Sequence, residues 1–153
     1  MSKQFRVYKP KKTDDGSVSA WEISYKKDKY DHYEFFLEMA NQLPGKDKND
    51  NQQFDWENKI TAKLGALDIG EILLVLERQK DSVGSKGSLF HKTSKGNKVI
   101  NFNYLEKYKS FGLKISSQDE KTKKTIAFNQ LISLSEGVII RELLKSAIVK
   151  MYA

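Results

Sequence analysis

Cysteine is absent from this sequence, which excludes disulfides, thiolate catalysis and cysteine-ligated zinc. No apolar run approaches the length of about 18 residues that a membrane-spanning helix needs. The first residues, MSKQFRVYK, contain no apolar segment of the kind that a secretory signal carries. These absences predict a soluble, cytoplasmic protein with no membrane partner.

Catalytic motifs are equally scarce. The two histidines, His32 and His91, stand in unrelated contexts and are interpreted as solvated or packing residues. Residues 47–58 resemble a calcium-binding loop but lack its glycine and its terminal glutamate. The glycines of residues 84–98 do not have the spacing of a phosphate-binding loop. We therefore predict no catalytic residues, no metal and no cofactor, which makes the protein a non-enzyme.

The positive charge is concentrated in two segments. The formal net charge is +7, with +4 in residues 1–30, −5 in residues 31–79 and +7 in residues 80–124. Such clustering is typical of proteins that bind polyanions, most often nucleic acid. A lysine-rich surface also keeps proteins soluble, so charge alone leaves both interpretations open.

Hydrophobic periodicity predicts the elements of the first half. Residues 5–12 and 17–26 alternate like strands around a turn at residues 13–16. Residues 33–43 fit both a strand and a helix, with a modest preference for strand. Residues 44–53 form a polar loop.

The segment FDWENKITAKLGALDIGEILLVLERQ, Phe54–Gln79, changes its period in the middle. Up to Leu64 it alternates like a strand, and from Ala66 onward its apolar residues recur like those of a helix. We expect Trp56, Ile60 and Leu64 to lie in the core, because they share one face of this strand. The segment predicts a strand that leads directly into a buried helix.

The second half shows the same succession of strands and a helix. Residues 88–93 and 98–107 form a plausible hairpin around residues 94–97, and strands follow at residues 110–117 and 125–132. Ser133 and Glu136 then form a capping box ahead of a helically spaced apolar stripe that continues to the end of the sequence. The C-terminal helix is therefore predicted from two independent signals.

The two strand-to-helix junctions also share a sequence pattern. Leu64, Leu67, Gly70, Ile72 and Leu76 match leucine, leucine, glycine, isoleucine and leucine at a constant offset of 67. The pattern predicts one domain, residues 1–153, with halves at about 1–79 and 80–153. Because a sheet with one helix cannot cover its own apolar face, the two halves must pack together.

Aromatic residues interleave with lysines on several predicted strands, as in Arg6–Lys9 and Phe102–Lys107. Lysines can neutralise phosphates while aromatic rings stack on the bases of a single strand. Trp56, Phe102 and Phe111 are better explained as core residues, whereas tyrosines tolerate a wet surface. The candidate nucleic-acid contacts are Tyr8, Lys9, Lys11, Lys12, Trp21, Tyr25, Lys26, Lys59, Lys63, Phe90, Lys92, Lys98, Tyr104 and Lys107.

The junction FDWENKITAKLGALDIGEIL also resembles the Whirly family of single-stranded-DNA-binding proteins, whose fold is shared with the smaller single-stranded-DNA-binding transcriptional coactivators, the alternative family for this chain. Phe54, Asp55, Trp56 and Lys59, followed by Asp68-Ile69-Gly70, match that family's aromatic-Asp-Trp-x-x-Lys strand and acidic-Ile-Gly helix. Leu89-Phe90-His91 is similar to its Phe-Phe-His strand, and the resemblance covers residues 54–150. The segment 8–12 departs from the family's lysine-glycine-lysine motif, because Pro10 replaces the glycine.

The resemblance implies an α+β fold with two antiparallel four-stranded β-sheets, each followed by a helix (ββββα twice), and places residues 33–43 in a strand. It implies a dimer or tetramer assembled through the helices, for which the C-terminal helix offers Ile140, Leu144, Ile148 and Met151. It further implies binding of single-stranded DNA with little sequence preference, in replication, recombination, repair or transcription. The expected location is the nucleoid of a bacterial or phage-infected cell. RNA binding and a protein-interaction module are the alternatives.

Overall fold

The computed structural model describes residues 3–9 and 19–153, which form two antiparallel sheets and two α-helices. The first sheet contains β1 (Lys3–Val7), β2 (Ser19–Lys27), β3 (Tyr33–Lys46), β4 (Gln52–Phe54) and β5 (Ile60–Leu64), and α1 (Ala66–Leu76) follows it. The second sheet contains β6 (Leu89–Thr93), β7 (Gly96–Leu105), β8 (Ser110–Asp119) and β9 (Thr125–Ile132), and α2 (Leu134–Tyr152) follows it. The predicted α+β fold with a helix after each sheet is confirmed.

The first sheet has four positions because β4 and β5 share one edge of the long strand β3. β4 pairs with the end of β3 and β5 with its beginning. The prediction of one continuous strand over residues 54–64 was wrong, since a 3₁₀ turn at Trp56–Asn58 interrupts it. The Asn58 amide donates to the Asp55 carboxylate at 2.9 Å and closes this turn. Ile60 and Leu64 enter the core as predicted, but Trp56 is half-buried outside it.

The second sheet is a meander whose first hairpin, predicted at residues 88–107, is confirmed. Thr93 pairs with Gly96 across a two-residue turn, and Gly96 has a φ of 144°. A Cβ atom at this position would lie 1.9 Å from the carbonyl oxygen of Gln118 in β8. Only glycine can therefore occupy position 96.

Both helices begin one residue after a strand. At α2, the Ser133 hydroxyl accepts the Glu136 N–H at 3.1 Å, as the predicted capping box requires. At α1, Gly65 is the N-cap residue, and its N–H donates to the Asp68 carboxylate at 2.9 Å. A carboxylate near a helix N-terminus also stabilises the helix dipole.

The core is one cluster between the two sheets and the two helices. Trp21, Ile72, Phe102 and Ile140 line a cavity of about 20 Å³ where all four layers meet. α2 approaches β8 so closely that a Cβ at Gly137 would lie 2.9 Å from the Phe111 ring. No helix among the described residues is long and apolar enough to cross a membrane.

The internal repeat exists, but its offset is 68 and not the 67 that the sequence pattern suggested. The N-caps are Gly65 and Ser133, and the capping carboxylates are Asp68 and Glu136. The last residues of β5 and β9, Leu64 and Ile132, are each 1% exposed, whereas Leu131, the partner of Leu64 at offset 67, is 46% exposed. Burial decides the register, because a shift of one residue moves a strand side chain to the opposite face.

Candidate nucleic-acid interface

The outer side of the first sheet carries cations that are paired with glutamates. Lys59 Nζ lies 3.0 Å from the Glu38 carboxylate, and Lys63 Nζ lies 2.8 Å from the Glu34 carboxylate. The guanidinium of Arg6 pairs with the carboxylate of Glu22. We call this surface the paired face, defined by Arg6, Glu22, Lys26, Glu34, Phe36, Glu38, Lys59 and Lys63. Three of its four cations already have an anionic partner.

Aromatic side chains at the end of the paired face pack mainly on one another. The Tyr8 ring lies 5.0 Å from Phe54 and 6.4 Å from Trp56. The guanidinium of Arg6 lies 4.4 Å above Trp56, and Lys26 lies 5.0 Å above the Phe36 ring on the same side of the sheet. Predicted contacts Tyr8 and Lys26 are therefore on an outer surface, but in contact with neighbouring aromatic rings.

Three of the predicted aromatic contacts lie on the inner side of the sheets. Trp21 is 0% exposed, so its predicted role in base stacking is wrong. It alternates with outward-facing residues of β2, and its large apolar ring enters the core. Tyr25 lies 4.3 Å below the ammonium of Lys150, and Tyr104 lies 3.5 Å below the guanidinium of Arg78. Lys150 of α2 thus covers the ring of Tyr25, and Arg78, which follows α1, covers the ring of Tyr104.

Two side chains, those of Lys9 and His91, connect the two halves of the molecule. The ammonium of Lys9 lies 2.6 Å from the Glu136 carboxylate, and His91 Nε2 lies 3.0 Å from Asp68 Oδ2. Lys9 and His91 occupy equivalent positions in the two halves. Lys9 lies two residues after Val7 and His91 two residues after Leu89, and both Val7 and Leu89 pair with an inward-facing residue of the next strand. Each of them contacts the carboxylate that caps the helix of the other half. Their first role is to connect the halves.

Lys98 has a similar connecting role. Its ammonium donates a hydrogen bond to the carbonyl oxygen of Thr61 on the free edge of β5. Lys98 lies on the inner side of β7, two residues before the buried Ile100. Lys98 therefore does not lie on the same surface as the predicted nucleic-acid contacts that face outward.

The outer side of the second sheet differs in charge from the paired face of the first sheet. Among the described residues, its outward positions contain no aspartate or glutamate. Phe90 is 61% exposed there, and neither Lys92 nor Lys114 forms an ion pair with a described residue. We call this surface the open face, defined by Phe90, Lys92, Val99, Asn101, Asn103, Leu105, Gly112, Lys114, Ser116, Asn129 and Leu131. It combines unpaired cations with an exposed aromatic ring.

A groove of about 750 Å³ crosses the open face. Its lining consists of three asparagines, three leucines, Gln130, Lys114, Gly112 and Lys9. Asn101, Lys114 and Asn129 form one row across three strands, and Asn103, Gly112 and Leu131 form the next row. Because Gly112 has no side chain, the middle of the second row is low. The first row is polar throughout, and the apolar side of the groove is the part beside Gly112 where Leu105 and Leu131 line it.

The sequence prediction included Phe90, Lys92 and Lys9 from this region but missed Asn101, Asn103, Gly112, Lys114, Asn129 and Leu131. The segment INFNYL contained the signal for two of them, because Ile100, Phe102 and Tyr104 alternate with Asn101 and Asn103. An asparagine between two core residues of a strand faces outward. Which strands lie beside β7 could not be read from this alternation.

Among the described residues, one further predicted contact, Lys107, lies apart from both faces. Lys107 is exposed in the 3₁₀ turn after β7, with its ammonium 5.5 Å from the Tyr108 ring. Lys11 and Lys12 lie outside the described residues. No cluster of three or more potential metal ligands occurs in residues 3–9 and 19–153.

The predicted oligomer interface needs a correction. Ile140 and Leu144 are buried in the core of the chain itself, so their assignment to an interface was wrong. They occupy the stripe of α2 that faces the sheets, where Ile148 and Met151 also pack in part. The other side of α2 exposes apolar residues: Leu134, Val138, Ile139, Leu143, Val149 and Tyr152.

Comparison with known proteins identifies the class of fold. No protein-family model matches the sequence, and no curated protein matches it. Solved structures do match: WHY1 from Arabidopsis thaliana has a TM-score of 0.74 at 14% identity, over 99% of this chain and 85% of that chain. The plant transcriptional regulator PBF-2 has a TM-score of 0.71 at 15% identity, over 99% and 82% of the two chains. A guide-RNA-binding protein complex bound to a gRNA has a TM-score of 0.57 at 13% identity, over 97% and 91%.

These matches define an α+β protein built from two sheet-then-helix units. More particularly, the chain has a Whirly-like fold, as its strand-to-helix motif predicted. At such identities the likeness concerns the fold.

Proposed function

We propose that this protein binds single-stranded nucleic acid, DNA in the first place, on its open face, and that it is not an enzyme. The observation that carries this proposal is the combination of unpaired Lys92 and Lys114 with exposed Phe90 on a surface without carboxylates. Lysines attract the phosphates, and an exposed ring provides a platform for a base, at roughly 1–3 kcal/mol per base.

The proposed mode of binding favours single strands over duplexes. In a duplex the base faces are stacked inside, so Phe90 has nothing to stack on. Phosphate contacts and stacking carry little sequence information, and we expect weak sequence preference from this part of the surface. Such a protein would act in DNA replication, recombination, repair or transcription, at the nucleoid.

The structural neighbours support nucleic acid as the ligand class. One is a plant transcriptional regulator, and another is a guide-RNA-binding complex bound to its gRNA. The second neighbour makes RNA the alternative ligand. The open face has no feature that excludes a 2′-hydroxyl, so both nucleic acids belong in the experiment.

Fluorescence anisotropy tests the proposal with single-stranded DNA, duplex DNA and RNA at about 50 and 200 mM salt. If about five phosphates are contacted, log K should fall with log salt at a slope of about −3 to −4. Single strands should bind more tightly than duplex. Binding that barely responds to salt, or a preference for duplex, would contradict this proposal.

We also propose that the protein forms a dimer or tetramer through the exposed apolar side of α2. Six large apolar residues of this helix are exposed, among them Val138, Ile139 and Val149. Light scattering would give a multiple of the monomer mass of 17.6 kDa for the native chain. Ile139→Asp with Val149→Asp should give monomers that still fold. A native chain that is monomeric at high concentration would refute the assembly.

A further inference from the structure

We infer that the groove on the open face selects adenine and cytosine, whose amino groups lie at C6 and C4, with adenine above all, at one position of the bound strand. This inference rests on the proposed function, because it concerns the same surface. It adds selectivity to a binding mode that would otherwise be almost independent of sequence. The argument starts from the orientation of one asparagine.

Hydrogen bonds within the protein fix the Asn101 amide. Its Nδ2 donates to the carbonyl oxygen of Gly87 at 3.1 Å and to the hydroxyl of Ser88 at 2.7 Å. Both amide hydrogens are therefore used, and Oδ1 is the polar atom that remains to contact a ligand. Asn101 enters the groove as an oriented acceptor.

Two further asparagines supply adaptable contacts. Asn129 is exposed in β9, separated from Asn101 by Lys114 in the same row. Asn103 lies in the next row beside Gly112, where a Cβ would lie 3.2 Å from Asn103 Oδ1. Each of these two amides can donate and accept at once. An asparagine of this kind bonds adenine N6 and N7 as a bidentate pair.

The apolar side of the groove can hold the face of the base. Leu131 is 46% exposed opposite Gly112, and Leu105 lies on the other side of this glycine. A base lying over Gly112 would contact these leucines with its ring and the asparagines with its edges. Lys114, at the centre of the polar row, is placed for the adjoining phosphate.

The chemistry of the acceptor decides between bases. Adenine and cytosine present amino hydrogens, which Asn101 Oδ1 can accept. Thymine and uracil present a carbonyl oxygen at the equivalent position, and two acceptors repel each other. The bidentate contact that Asn129 or Asn103 can add to adenine N6 and N7 discriminates by roughly 1–3 kcal/mol, which corresponds to about 5- to 150-fold in affinity. We therefore expect adenine to bind at least about 5-fold more tightly than thymine.

Adenine also stacks better than thymine, so the experiment must separate stacking from hydrogen bonding. Anisotropy is measured for the full chain with oligomers of about 12 nucleotides, a length that such surfaces cover. The probes are oligodeoxyadenosine, oligothymidine and an oligomer of purine deoxyriboside. Purine deoxyriboside keeps the ring system and lacks the 6-amino group. The inference requires tighter binding of deoxyadenosine than of purine deoxyriboside.

Three variants locate the selectivity within the groove. Asn129→Leu removes an amide that makes no hydrogen bond with a described residue, and it should reduce the adenine preference at least 3-fold while thymidine binding persists. Lys114→Gln, in the same row, should weaken binding of all three oligomers equally. Asn101→Leu should also reduce the preference for adenine. Circular dichroism checks that the loss of the hydrogen bonds from Asn101 to Gly87 and Ser88 has not disturbed the fold.

The outcomes separate this inference from the proposed function. Equal binding of deoxyadenosine and purine deoxyriboside oligomers overturns the inference and leaves single-strand binding intact. The same holds if the preference survives in both asparagine variants. If no oligomer binds, the proposed function fails, and the inference fails with it.

Discussion

The two sheets of this protein share an inner plan and differ on their outer faces. On the inside, Tyr25, Phe35 and Leu64 form a row across the first sheet, and Tyr104, Phe111 and Ile132 form the equivalent row across the second. Outside, the paired face alternates lysines with glutamates, whereas the open face has lysines, asparagines and a phenylalanine. The inner plan determines the fold, and the outer difference indicates where a polyanion would bind.

The difference teaches that a count of lysines overstates the positive surface. In the sequence, Lys59 and Lys63 cannot be told apart from Lys92 and Lys114. In the structure, the ammonium groups of Lys59 and Lys63 form ion pairs with glutamates. A phosphate would have to displace those carboxylates, and the attraction is correspondingly smaller. The acidic segment of residues 31–79 supplies these glutamates, so part of its negative charge offsets cations of the paired face.

Burial at the end of β9 sharpens what the two halves have in common. Ile132→Ala should lower the free energy of unfolding by about 2–5 kcal/mol, because Ile132 is buried in the shared inner row. Leu131→Ala, one residue earlier on the open face, should change it by less than about 1 kcal/mol. Urea denaturation followed by circular dichroism measures both. A similar loss of unfolding free energy in the two variants would contradict the repeat offset of 68 and favour the offset of 67.

Charge reversal tests the outer difference most strongly. Lys92→Glu with Lys114→Glu should weaken single-strand binding by about 100-fold and flatten its salt dependence, because two phosphate contacts become repulsive. The matched variant is Lys59→Glu with Lys63→Glu on the paired face, for which a change of less than about 3-fold is expected. Anisotropy at about 50 and 200 mM salt compares both the affinities and the salt slopes. If the second pair has the larger effect, the paired face is the binding surface.

Register-equivalent aromatic residues give a second comparison between the faces. Phe90→Ala should weaken binding by about 10-fold, since an exposed ring that stacks on a base is lost. Tyr8→Ala, the equivalent change in the first half, should affect affinity by less than about 2-fold, because that ring packs on Phe54 and Trp56. Quenching of a fluorescent base analogue by the native protein, and its loss in Phe90→Ala alone, would locate the stacking.

The sequence predicted most of the fold because the fold depends on local signals. The capping box at Ser133 and Glu136 and the alternation of the strands act within a few residues, so they are visible without a structure. Trp56 was misplaced because a four-residue turn closed by Asp55 and Asn58 breaks a strand that otherwise alternates well. Periodicity cannot detect such an interruption when the apolar residues keep their spacing.

The candidate site was less predictable, since it depends on which strands are neighbours. Lysines and aromatics were selected by residue type, but the pairing of Lys63 with Glu34, 29 positions away, is a property of the sheet. The groove likewise assembles Asn101, Lys114 and Asn129 from three strands. A single sequence gives the outward direction of each asparagine, and the row that they form requires the strand order.

The smallest expected effect comes from releasing the lysines of the paired face. Glu34→Gln with Glu38→Gln keeps side chains of the same size while removing the charges that hold Lys63 and Lys59. Two free ammonium groups should then raise single-strand affinity about 2- to 4-fold at low salt and make the salt slope steeper by about one unit.

The control for this gain is Glu57→Gln with Glu142→Gln, which changes the net charge equally on exposed residues outside both faces. A similar gain in the control would attribute the effect to net charge, and no gain in either pair would mean that the glutamates do not limit binding. A gain confined to Glu34 and Glu38 would show that ion pairing, rather than the sheet itself, keeps the first face from binding. The two faces would then differ chemically by a few carboxylates on otherwise equivalent scaffolds.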